Sequence, residues 1–141
     1  MKLNIEPLKK ALSQLEKSMD YLHSNLAQND RDLYAQFRNS SIQCFEFTYE
    51  LSYKMIRRQL EQIVDIPLEL RHMNFADFIR TAADAGLIPD VKRFIRYRER
   101  RNLTSHTYDE KKADEIIAIL DDFLGDIHFL FKELSMRNAI H

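Results

Sequence analysis

Ile5, Leu8, Leu12, Leu15, Met19, Leu22 and Leu26 recur at alternating steps of three and four. On a helix such steps gather the side chains into one apolar seam, so the spacing predicts a first helix over residues 5–27. Asn4 stands where a cap is wanted, Pro7 is tolerated in a first turn, and the polar run Gln28, Asn29, Asp30 marks the end. A second helical pattern, about 32–63, carries two adjacent stripes: Ile42, Phe45, Tyr49, Ile56, Leu60, and beside them Phe37, Cys44, Leu51, Met55. So wide an apolar surface implies burial on more than one side, in the centre of a bundle or partly against another subunit. Glu46, Glu50 and Lys54 follow one another at one-turn intervals and read as an exposed charged strip with a Glu50–Lys54 pair.

Residues 65–71 contain Pro67 and break the pattern. Phe75, Phe78, Ile79, Ala82 and Ala83 then make a short third helix, closed by Gly86 in the left-handed position, Leu87 over the last turn and Pro89 beyond. A fourth helix, about 89–103, turns Val91, Phe94 and Ile95 inward and its arginines outward. The last helix buries Ala113, Ile116, Ile117, Leu120, Phe123, Leu124, Ile127, Phe131 and Leu134. The expected fold is all-α: an antiparallel four-helix bundle with an additional short helix.

Composition agrees. Two glycines and three prolines in 141 residues leave little for the many turns of a sheet protein, and the length suits one domain with its own core. The single Cys44, beside Phe45 and Phe47, is expected to pack as a small hydrophobe in a reducing cytoplasm. Neither a signal peptide nor a membrane span is expected, because no run of about 18 apolar residues occurs. The net charge of -1 favours no partner, but its distribution is uneven. Between positions 90 and 101 stand Lys92, Arg93, Arg96, Arg98, Arg100 and Arg101 against only Asp90 and Glu99. That run fits RNA binding, chiefly by Lys92, Arg93, Arg96 and Arg100, and fits equally a solvated face paired with the acidic last helix.

The stretch Arg100 to Glu110, RRNLTSHTYDE, holds the groups suited to chemistry. On an unbroken helix Arg101 and His106 would diverge by about 140°. Thr107 followed by Glu110 has the capping-box pattern, so the spacing predicts a junction at 104–106 that lets His106 fold back towards Arg101 and Asn102. Histidine can take a proton from a ribose 2'-hydroxyl or return one to a leaving oxygen. Arginine's planar fork can hold a phosphate, and Tyr97 and Tyr108 are candidates for stacking on unpaired bases. Such a reaction calls for no metal or cofactor.

RNLTSHTY, an Arg followed after four residues by His and then by Tyr two residues on, resembles the signature of the HEPN superfamily, especially its prokaryotic toxin branch. QCFEFTYELSYK, residues 43–54, and the AGLI ending of the third helix are similar to the branch known as nucleotidyltransferase substrate-binding proteins. The resemblance implies one HEPN-like helical-bundle domain over 1–141, a cytoplasmic homodimer, and a minimal nucleotidyltransferase as partner in a toxin–antitoxin-like pair. It further implies Arg101 and His106 as a catalytic pair, Asn102 as polar support and Tyr108 as the acceptor of AMP. Tyr53 stands where the branch often has tryptophan. Three roles follow as expectations: a substrate-binding or AMP-acceptor subunit of that partner, a metal-independent endoribonuclease, or a purely structural helical dimer.

Overall fold

The computed structural model describes residues 2–63 and 67–139. Among them α1 (Glu6–Leu22), α3 (Arg31–Ile63), α6 (Val91–Arg101) and α8 (Leu120–Arg137) are the long elements of an all-α bundle. Short helices connect them: α2 (Asn25–Gln28), α4 (Pro67–His72), α5 (Phe75–Asp84) and α7 (Glu110–Ile117), with a 3-10 turn at Thr104–His106. No helix among the described residues is long and apolar enough to cross a membrane.

The seam of α1 is the predicted one, with Leu8, Leu12, Leu15, Met19 and Leu22 buried. The helix stops at Leu22, however, because Ser24 accepts from the Ala27 N–H as the cap of α2. The axis changes there, which leaves Leu26 63% exposed and buries Ala27 instead. Asn4 accepts from the Glu6 N–H, although the helix is entered through Ile5.

α3 is central, packed against α1, α6, α7 and α8. It runs antiparallel to α1, with Ser18 beside Ser40 and Cys44 at one end and Asn138 bridging Leu3 and Gln59 at the other. Ile42, Phe45, Met55, Ile56 and Leu60 are buried, while Cys44, Tyr49 and Leu51 lie half-buried at the edge of the core. Pro67 opens the short α4, so residues 67–71 are helical where only a break is predicted; 65 and 66, the start of the predicted break, lie outside the described residues. The end of α5 is as read: Gly86 has φ +80°, its N–H donates to Ala83 O, and the N–H of buried Leu87 donates to Ala82 O.

Two elements depart from the spacing argument. The inward residues of α6 are Phe94 and Tyr97, with Val91 and Ile95 only half-buried. The predicted last helix is two helices, broken at Ala118 and Ile119. After the break the buried steps run Leu120, Phe123, Ile127, Leu130, Leu134, so Leu130 takes the inward place expected for Phe131.

Candidate functional site

α6 ends at Arg101, and Asn102, Leu103 and the 3-10 turn carry the chain over to α7. The predicted junction therefore exists, but its closing cap is Asp109 rather than Thr107. The Asp109 carboxylate accepts from the Lys111 and Lys112 N–H groups, so it already occupies the anion position at the start of α7.

Arg101 continues the inward face of α6: the steps Phe94, Tyr97, Arg101 are three and four. That face meets α3, and the guanidinium lands on Glu46 and Glu50. Arg101 Nε donates to Glu50 Oε1 at 2.7 Å, and Nη1 lies 3.9 Å from Glu46 Oε2. Nη1 also donates to Thr104 Oγ1 at 3.2 Å, while the Thr104 hydroxyl donates to the Arg101 carbonyl at 2.8 Å. The predicted Glu50–Lys54 pair is thus replaced by a pair across two helices, since Glu50 faces the end of α6.

His106 closes the turn, its N–H donating to Leu103 O. Its imidazole is half-buried and turns towards Tyr108, with Nδ1 3.4 Å from the Tyr108 hydroxyl and the rings edge to face at 5.9 Å. Tyr108 is 82% exposed. Asn102, the C-cap residue of α6, is exposed.

The other basic positions divide by face. At about 100° per residue, Lys92 and Arg96 point roughly 180° and 140° away from Arg101, out to solvent. Arg93 is held by the last helix: its Nε and Nη2 donate to the two Asp126 oxygens, both at 2.8 Å, and Asp126 is 5% exposed. Tyr97, expected to stack on bases, is 1% exposed and donates its hydroxyl to the same carboxylate. Burial first, then that hydrogen bond, raises its pKa well above the usual phenol value. Arg100 is half-buried beside Glu99, its Nη1 3.8 Å from Oε2, with no partner for Nε among the described residues. The pairing of the basic run with the acidic last helix is therefore real for Arg93. Its signal is the aspartate at position 126, one of the acids that balance the basic run, which stands on the inward face of an apolar seam.

A family model described as nucleotidyltransferase substrate binding protein like matches residues 3–136. The chain belongs to this family. A Haemophilus influenzae relative named probable ribonuclease HepT is 46% identical over 98 residues, 70% of this chain and 67% of that protein. A solved structure, also from Haemophilus influenzae and described as the fold of a substrate binding domain of a nucleotidyltransferase, superposes with a TM-score of 0.89 at 36% identity. It covers 94% of this chain and 99% of the other. Membership of the substrate-binding protein family bears out the resemblance carried by residues 43–54 and 101–108.

Proposed function

We propose that this chain is the substrate-binding or AMP-acceptor subunit of a minimal nucleotidyltransferase in a cytoplasmic toxin–antitoxin-like pair, and that Tyr108 receives the AMP. The observation that carries the reading is the outward phenol of Tyr108, 82% exposed beside His106, in a chain matched to the family over residues 3–136. In the transfer the tyrosine oxygen attacks the α-phosphorus of ATP, the bond to the β-phosphate oxygen breaks, pyrophosphate leaves, and the phenol proton passes to a base of the partner enzyme. His106 is near enough to the new phosphate to be covered by it, which would silence the group needed for any reaction on RNA. Incubation with the cognate nucleotidyltransferase and ATP should add one AMP by intact mass to the wild type and none to Tyr108→Phe. Equal addition to both refutes the assignment.

A second reading, a metal-independent endoribonuclease, is supported by Arg101 anchored at the end of α6, by His106 in the 3-10 turn that follows, although its imidazole turns to Tyr108, and by the name of the Haemophilus relative. His106 takes the 2'-hydroxyl proton, the 2'-oxygen attacks the phosphorus, the bond to the 5'-oxygen breaks, and a 2',3'-cyclic phosphate forms. The leaving 5'-oxygen is protonated by His106 of a second copy in a homodimer. Arg101 neutralises the charge gathered on the phosphate and Asn102 supports it. Lys92 and Arg96 draw the polyanion by long-range charge, with Arg100 adding to that field, while Arg93 is committed to Asp126. His106→Ala should lose at least about 10²-fold in cleavage rate while still binding RNA, and cleavage by the wild type should persist in EDTA. Cleavage that survives His106→Ala, or stops with EDTA, refutes this mechanism.

A further inference from the structure

Most arginines of known pairing in this chain face a carboxylate: Arg38 with Asp114, Arg80 with Asp77, Arg93 with Asp126, Arg101 with Glu50 and Arg137 with Glu133. Arg57 and Arg98 do not, among the described residues. They are held by aromatic faces instead. The Arg98 guanidinium lies 4.3 Å from the centre of the Phe75 ring. That of Arg57 lies 5.0 Å from Phe78 and 5.4 Å from Tyr53, and donates to the Tyr53 hydroxyl at 2.9 Å. Tyr53 and Phe75 are themselves stacked, 6.2 Å apart and within 7° of parallel. A guanidinium laid on a ring is oriented without losing its charge, and its remaining N–H groups stay open to an anion.

This ledge continues the candidate site. On α3 the steps Glu46, Glu50, Tyr53, Arg57 are four, three and four, which keep them along one face. On α6 Arg98 lies only about 60° round from Arg101 and one turn back, on the side packed against α5. Both arginines also act on half-buried Tyr49 of α3: burial lifts its phenol to about 12, and the charges of Arg98 and Arg101 pull the other way. From Arg101, the line therefore passes Arg98 and the Tyr53–Phe75 pair and ends at Arg57.

We propose that this line is a binding track for single-stranded RNA, with phosphates on Arg98 and Arg57 and bases lying against the half-buried Tyr53–Phe75 edge. It rests on the endoribonuclease reading above and specifies which side of Arg101 the substrate occupies. The face of Lys92 and Arg96 is turned away from it.

The test uses the full chain carrying His106→Ala and a short fluorescein-labelled single-stranded RNA, titrated by anisotropy across a KCl series. Arg57→Gln/Arg98→Gln should weaken binding about tenfold and lower the slope of log K against log salt by about 1.4, at about 0.7 per lost phosphate contact. Lys92→Gln/Arg96→Gln, which removes long-range attraction but no contact on the track, should weaken binding by a smaller factor, about two- to threefold. Circular dichroism checks that both pairs fold. Independently of any arginine variant, 4-thiouridine cross-links should map to Tyr53 or Phe75. Equal losses in the two pairs, a larger loss for Lys92/Arg96, or cross-links confined to the Lys92 face overturn the track. Absence of any RNA binding by the His106→Ala protein overturns the endoribonuclease reading itself.

Discussion

Replacing Asp126 by Asn leaves the shape of the α6–α8 contact and removes its charge. The carboxylate accepts two N–H bonds from Arg93, both at 2.8 Å, and the hydroxyl of Tyr97. Asparagine keeps one accepting oxygen and turns the other position into a donor, so one of three donors loses its partner. Arg93 reaches water, but Tyr97, 1% exposed, does not. A hydrogen bond to a charged group contributes about 1.5–3 kcal/mol, so one lost bond, partly made good by water at Arg93, and two weakened bonds amount to roughly 2–3 kcal/mol. For a chain of this length that lowers Tm by about 6–10 °C. Thermal and urea unfolding followed by circular dichroism measure it, with Tyr97→Phe expected to lose about half as much. A change below about 0.5 kcal/mol for Asp126→Asn refutes the reasoning. So does an Arg93→Ala variant of unchanged stability that no longer binds RNA, because Arg93 would then serve the nucleic acid rather than the fold.

Glu50→Gln removes the tightest carboxylate on Arg101 but leaves Glu46 and Thr104, and an exposed pair of this kind contributes at most about 1 kcal/mol to stability. RNA binding should tighten about two- to fivefold as the phosphate no longer competes with Glu50, with melting unchanged; weaker binding by anisotropy would show that Glu50 orients Arg101 instead. Tyr49, pushed up to about 12 by burial, binds its proton more tightly folded than unfolded, so stability is unaffected below about pH 10 and falls as pH rises from there towards 12. Urea unfolding across that range should show a shallower alkaline loss in Tyr49→Phe than in the wild type; identical slopes count against it.

What the sequence by itself determined was local. The seam of α1 is legible because the residues that bury together are three or four apart. The end of α5 is legible because the Gly86 and Leu87 N–H groups satisfy that helix's last carbonyls and Pro89, which has no N–H, cannot extend it. The junction after Arg101 was also visible, although the cap was read at Thr107 when Asp109, one acidic side chain with two N–H groups in reach, does the capping. Ser24 was missed as a cap for the same reason: an unbroken apolar spacing through Leu26 outweighed a single hydroxyl. The tertiary structure decided everything that depends on a partner far along the chain. Glu50 and Arg101 are 51 residues apart, and Arg93 and Asp126 are 33 apart. Periodicity can say that Arg101 lies on the inward face of α6, but not that α3 offers it two carboxylates there. It can count the basic residues of α6, but which of them are neutralised, which lie on aromatic rings and which face water is settled only when α3, α5 and α8 close around that helix. The physical reason is range: capping and helical spacing act within one or two turns, whereas the state of a charge is set by whatever the packing brings within a few ångströms.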